Sequence, residues 1–182
     1  MLFHSKHNKI LNNTPPIKIN MQKLEMVQSS KFLGVILDDR LTWKPHINQI
    51  CKKLSTGISY LTKVRSVFPC NILKYIYRSF VECYITYGIE SWGTTYKTTI
   101  KPVYTLQKRA MRIIHNIPPK SSIMEKFSTE GLLTVYQLAF QQLALAMYKI
   151  TNKIGQSLKF QLEPPSNNRT TRLNSRNILI PQ

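Results

Sequence analysis

The chain has 182 residues, with 26 Lys and Arg against 8 Asp and Glu, and a formal charge of +18. Its length suits one domain, or one domain with tails. An apolar share of 42% excludes wholesale disorder, because such a chain buries enough surface to offset its ordering entropy. It holds no apolar run of membrane-spanning length, so no transmembrane helix is predicted.

Acidic residues are too few to pair most of the Lys and Arg internally. A pI of about 10.0 favours a polyanionic partner, nucleic acid first and an anionic membrane second. The net charge is +3 over residues 1–30, +5 over 31–65, +1 over 66–100, +6 over 101–153 and +3 over 154–182. A nearly neutral middle between basic segments predicts a buried element flanked by elements that present charge. Cys51, Cys70 and Cys83 form neither a C-x-x-C pair nor an even disulfide set. They are expected to be reduced, mostly buried thiols of an intracellular protein, cytoplasmic or nuclear.

In chain order, residues 1–16 are polar and end in the helix-breaking Thr14-Pro15-Pro16. They are basic but lack Arg and any useful amphipathic helix, against a transit peptide. Residues 17–20 alternate apolar and polar, and 31–37 are β-prone. Together they predict short strands, hairpin-like, closing at Asp38-Asp39-Arg40. Pro45 suits the first turn of a helix. Ile47, Cys51, Leu54, Ile58 and Leu61 then form one apolar stripe. A second helix from about Pro69 to Gly88, whose only charges Lys74, Arg78 and Glu82 share one face, is expected to be the central buried one. A third spans roughly Lys101 to His115, with Val103, Leu106, Ala110 and Ile113 on its apolar side. A fourth, roughly Thr134 to Thr151, places Tyr136, Phe140, Leu143, Met147 and Ile150 at helical spacing and is expected to belong to the core. After Glu163-Pro164-Pro165 the composition turns polar, which predicts a flexible tail.

Few constellations suggest chemistry. Asp38-Asp39 is the only aspartate pair, and the nearest glutamate, Glu25, lies on a separate segment. Two-metal phosphoryl transfer needs a third carboxylate, so a solvated turn is the expected role. His4 and His7 are spaced for one helix face but have no third ligand in view. His46 and His115 stand without an Asp or Cys companion, so no oriented base is apparent. No phosphate-binding Gly-rich loop occurs. The basic residues Lys101, Lys108, Arg109 and Arg112 are a different case. Three share one face of the third helix, at a rise per turn comparable with phosphate spacing along a strand. Lys52, Lys53 and Lys63 form a second basic set. Tyr75, Tyr77, Tyr84 and Tyr87 suit stacking or, more simply, the core.

Several stretches together resemble one family. Lys31-Phe32-Leu33-Gly34-Val35-Ile36-Leu37-Asp38 followed by Leu41-Thr42-Trp43-Lys44-Pro45-His46-Ile47 resembles a run of jockey-like non-LTR retrotransposon reverse transcriptases. Tyr84-Ile85-Thr86-Tyr87-Gly88-Ile89-Glu90-Ser91-Trp92-Gly93 and Leu106-Gln107-Lys108-Arg109-Ala110-Met111-Arg112-Ile113-Ile114 are similar to two later segments, and Met1-Leu2-Phe3 to the end of the palm. The resemblance implies the end of the palm and a primer-grip-like β element over 1–44, a helical thumb-like region over 45–153 and a polar tail over 154–182. The implied fold is mostly α: a small N-terminal β-hairpin and a bundle of about four helices. The implied role is that of a C-terminal, non-catalytic fragment of an RNA-directed DNA polymerase. Its palm, with the metal-binding aspartates, would lie in a preceding segment as partner. Mg²⁺ would serve the intact polymerase, with no cofactor in this chain. Template–primer, RNA or DNA, would be held through phosphates by Lys101, Lys108, Arg109, Arg112, Lys52 and Lys53, with Phe32, Leu33 and Gly34 as the primer-grip-like turn. The alternatives are a decayed remnant without selected activity, or a stand-alone basic helical module on nucleic acid or anionic membrane.

Overall fold

The structure, a computed structural model, describes residues 1, 3–4, 17–119, 121–152 and 154. His7 and nearly all of the expected tail lie outside the described residues. The chain divides into two compact units, Met1–Ala146 and Met147–Gln182.

Two short antiparallel hairpins open the first unit. Strands β1 (Lys18–Ile19) and β2 (Gln22–Lys23) pair through a two-residue turn, as do β3 (Ser29–Phe32) and β4 (Val35–Asp38). Residues 31–37 are therefore not one continuous strand. They break at Leu33-Gly34, where φ is +45° and +82°, the positive pair that a tight twisted hairpin demands. Asp38-Asp39-Arg40 does not close a hairpin; it leads from β4 into the first helix.

Helix α1 (Lys44–Val64) has Pro45 in its first turn and buries His46, Ile47, Ile50, Leu54, Gly57, Ile58 and Leu61. The predicted stripe holds except at Cys51, which is half-buried. Each fully buried Ile or Leu is worth about 1.5–3 kcal/mol. The second helical run comprises α2 (Cys70–Tyr77), a π-helical segment Arg78–Glu82 and α3 (Cys83–Thr86). Leu73, Tyr77, Val81 and Ile85 are its buried residues. A spacing of four drifts by ~40° per step on a regular α-helix. The wider π turn absorbs that drift and keeps all four residues inward. Only this face is buried. Tyr75 and Phe80, expected on the apolar side of a central buried helix or in the core, are exposed.

Gly57 explains how closely α1 crosses this run. A Cβ there would lie 2.4 Å from the Phe80 carbonyl oxygen, so only glycine admits the contact. Short helix α4 (Ile89–Trp92) follows Gly88 and buries Ile89 and Trp92. Helix α5 (Lys97–Ile114) begins one turn earlier than predicted and accommodates Pro102. It packs on α1 and α2. Its buried face is Ile100, Val103, Gln107, Ala110, Met111 and Ile114, while Leu106 and Ile113 are only half-buried. The buried stripe is thus rotated by part of a turn from the predicted one.

Helix α6 (Met124–Thr129) precedes α7 (Val135–Thr151). α7 buries a different stripe from the predicted one. Val135, Leu138 and Ala139 are buried, whereas Phe140, Leu143, Met147 and Ile150 are exposed and Tyr136 is half-buried. α7 is apolar on more than one side, so periodicity alone offered two stripes. The buried one is selected by the Val135 N–H, which donates to Gln107 Oε1 at 2.9 Å, and by Ala139. A Cβ at Gly93 would come within 2.7 Å of the Ala139 methyl.

Candidate nucleic-acid interface

The β3–β4 turn is held from outside the hairpin. Tyr87, just beyond α3, donates its hydroxyl to the Leu33 carbonyl at 2.6 Å. A Cβ on Gly34 would meet that ring at 3.2 Å, so glycine lets the tyrosine close on the turn. Phe32 and Leu33 are 63% and 75% exposed. An exposed leucine at positive φ is strained backbone, and the Tyr87 contact maintains it.

At the other end of β4, Asp38 is buried rather than solvated. Its Oδ2 accepts the Thr42 N–H and its Oδ1 the Trp43 N–H, both at 2.9 Å. Burial works to raise its pKa, but these hydrogen bonds outweigh burial and hold the carboxyl below its usual value. The carboxylate fastens a loop in which Leu41 and Trp43 both have positive φ, and so sets the start of α1. Asp39 turns instead toward His4, with Oδ2 at 3.3 Å from Nε2. The two aspartates do not converge, and Asp38 is already occupied by amides, so this turn does not fit a magnesium site.

His46 sits behind the hairpin. Its Nδ1 accepts the Ile36 N–H at 3.3 Å, and its ring lies edge-on to Trp43 and Trp92. Burial first, then the charge of Lys53, lowers its pKa, so the ring is neutral and Nε2 carries the proton. Neither that Nε2 nor Gln49 Oε1 has a hydrogen-bond partner among the described residues. Both residues line a cleft of about 370 Å³ together with Lys31, Gly34, Ile50, Lys53, Cys83, Tyr84 and Tyr87. Lys53 Nζ stands 4.8 Å above the centre of the Tyr84 ring. The cleft thus joins two ammonium groups, two tyrosines and two unsatisfied buried polar atoms. Such a lining suits a phosphodiester strand with a stacked base.

The structure brings only Lys53 and Gly34 of the predicted site residues into this cleft. Lys52 is exposed on α1, outside its lining. On α5, Lys101 and Arg109 are exposed. Lys108 is half-buried, with Nζ 4.5 Å above the Tyr104 ring. Arg112 is also half-buried and donates to the Ser121 carbonyl at 3.2 Å. Sequence reasoning did not assign Lys31, His46 or Gln49 to a site, although Lys31 and His46 lie within the quoted motifs. Of the tyrosines read as stacking or, more simply, core residues, only Tyr77 is fully buried; Tyr75 and Tyr87 are exposed and Tyr84 is half-buried. His115 is not isolated either: Cys70 and Glu130 lie beside it. The cysteines are free, with Cys83 exposed and the other two half-buried. Among the described residues no helix is long and apolar enough to cross a membrane.

No protein-family model matches the chain, and no solved structure does. A probable RNA-directed DNA polymerase from transposon BS of Drosophila melanogaster is 31% identical over 108 residues, 58% of this chain and 12% of that protein. The corresponding probable polymerase of the X-element, from the same organism, is 28% identical over 103 residues, 55% of this chain and 11% of the relative. The RNA-directed DNA polymerase of mobile element jockey is 27% identical over 107 residues, 57% and 12% respectively. The chain therefore spans only about a tenth of the length of the curated relatives it matches. Over more than half of its own length, its homologues are RNA-directed DNA polymerases of jockey-like non-LTR retrotransposons.

Proposed function

We propose that this chain is a non-catalytic part of an RNA-directed DNA polymerase, holding the template–primer by its phosphates while a palm domain carries out phosphoryl transfer. The observation that carries this reading is the cleft beside the Leu33-Gly34 turn. Lys31 and Lys53 flank it, Tyr84 and Tyr87 wall it, and His46 and Gln49 complete its lining. The ammonium groups neutralise phosphates and release counterions. The projecting Phe32-Leu33 tip gives an apolar contact on the same side of the hairpin. None of these groups reads base identity, so binding is nearly independent of sequence. α5 adds Lys101 and Arg109 as further phosphate contacts. The metals, Mg²⁺ in the intact polymerase, would be held by the palm. The working compartment is cytoplasm or nucleus, where template and primer reside.

The test is a salt titration of binding to an RNA–DNA hybrid, followed by fluorescence anisotropy. Lys31→Gln with Lys53→Gln is expected to weaken all sequences alike and flatten the log–log salt slope by roughly 1.4–1.8. Lys63→Gln, farther along α1, serves as the control. An unchanged slope in the double variant would remove the cleft from the interface. Template-dependent incorporation by the purified chain with Mg²⁺, abolished by Asp38→Asn, would overturn the non-catalytic role.

A further inference from the structure

Three residues far apart in sequence meet at the ends of three helices. Cys70 is the first residue of α2, His115 follows the last residue of α5, and Glu130 follows the last residue of α6. Cys70 Sγ lies 3.8 Å from His115 Nδ1. His115 Nε2 lies 3.8 Å from Glu130 Oε1. One ligand atom from each residue, a sulfur, a ring nitrogen and a carboxylate oxygen, falls within 4.8 Å of the other two. Ligands around a tetrahedral zinc ion stand roughly 3.3–3.8 Å apart. The two close approaches use opposite ring nitrogens, and one ion takes only one of them, so binding through the unpartnered Nε2 requires the Cys70 side chain to rotate from Nδ1 toward it.

Two further observations point inward. The His115 side chain is only 9% exposed, yet its Nε2 has no hydrogen-bond partner among the described residues. A ring nitrogen this buried ordinarily finds one. Lys74 pairs with Glu130 through Oε2, which leaves Oε1 turned toward the imidazole. This is how an outer-shell residue fixes a ligating carboxylate.

We propose that Cys70, His115 and Glu130 form a binding site for Zn²⁺, with water in the fourth position. Thiolate, imidazole and carboxylate together suit zinc better than magnesium or calcium, which take all-oxygen shells. Cys70 gives up its proton on binding, and His115 ligates as the neutral imidazole. The ion ties the start of α2 to the ends of α5 and α6. It acts as a structural clip, independent of the cleft.

The experiment uses the whole chain, stripped of metal with a chelator. Zn²⁺ alone is titrated by calorimetry, and Co²⁺ serves as a spectroscopic probe. One equivalent is expected to bind, with a thiolate-to-cobalt charge-transfer band. Cys70→Ser, His115→Asn and Glu130→Gln should each weaken binding at least ~10-fold, and Lys74→Gln by ~10–100-fold as an outer-shell change. Cys83→Ser should leave affinity unchanged. Circular dichroism reports whether each variant keeps its helices. A measurement on the unaltered chain does not depend on the variants: Zn²⁺ should slow alkylation of Cys70, located by peptide mapping, but not of Cys83. Absence of binding, a cobalt spectrum without the thiolate band, affinity unchanged in a folded Cys70→Ser variant, or equal protection of both cysteines would overturn the proposal.

Discussion

Gln107 is fully buried on α5, and the three hydrogen bonds of its amide all cross to other elements. Nε2 donates to the Tyr77 hydroxyl and to the Leu133 carbonyl, both at 2.9 Å, and Oε1 accepts the Val135 N–H. One side chain thereby joins α5 to α2 and to the first turn of α7. Gln107→Leu keeps the volume but leaves a hydroxyl, a carbonyl and an N–H unpaired in the core. Urea unfolding is expected to register a loss of about 2–4 kcal/mol. Asp38→Ala removes both acceptors from the Leu41–Trp43 loop and is expected to cost about 1–3 kcal/mol. His46 carries a pH dependence whose sign follows from its lowered pKa. The folded ring resists protonation, whereas in the unfolded chain it titrates near about 6.5. Below that value the unfolded state binds more protons, so stability falls as pH falls. Denaturation midpoints between pH about 7.5 and about 5.5 should decline, and His46→Gln should reduce the decline.

Among the elements, α1 crosses the π segment closely, at Gly57 against Phe80. The geometry of the crossing depends on two departures from regularity: a glycine in mid-helix and one widened turn. Gly57→Ala would gain about 0.5–1 kcal/mol in helix propensity. The new Cβ, however, meets a backbone carbonyl that cannot rotate away. Overpacking prevails, and a net loss of about 1–2 kcal/mol is expected in thermal or urea unfolding. The π segment meets the opposite need. It keeps Val81 and Ile85 aligned with Leu73 and Tyr77, so one continuous apolar face crosses both helices it joins.

For the whole molecule, a charge of +18 makes ionic strength the main control on any polyanion complex. The structure distinguishes basic residues available to phosphates from those already engaged. Arg112 is tied to the Ser121 carbonyl, so replacing it tests stability as well as binding. Lys101→Gln combined with Arg109→Gln avoids that overlap, because both side chains are exposed on α5. If α5 touches phosphates, this pair should flatten the salt slope on an RNA–DNA hybrid by roughly 1.4–1.8 with an unchanged helical spectrum. An unaltered slope would leave α5 as a solvated face.

What the sequence determined by itself is local. Apolar recurrence at Ile47, Leu54, Ile58 and Leu61 located α1, Gly88 marked the end of the second helical run, and the charge imbalance pointed to a polyanion. Ordered motifs pointed to the polymerase relatives found by comparison. These signals lie within a few turns of chain, or in composition. Tertiary structure decided which side of α5 and α7 is buried, because several stripes were apolar enough and the partners Gln107 and Gly93 settled the choice. It also decided that Asp38 is a buried clamp, that Lys31 and Lys53 share a cleft, and that Cys70, His115 and Glu130 meet. Residues separated by tens of positions leave no periodic trace of their proximity; only the packing of helices against one another brings them together.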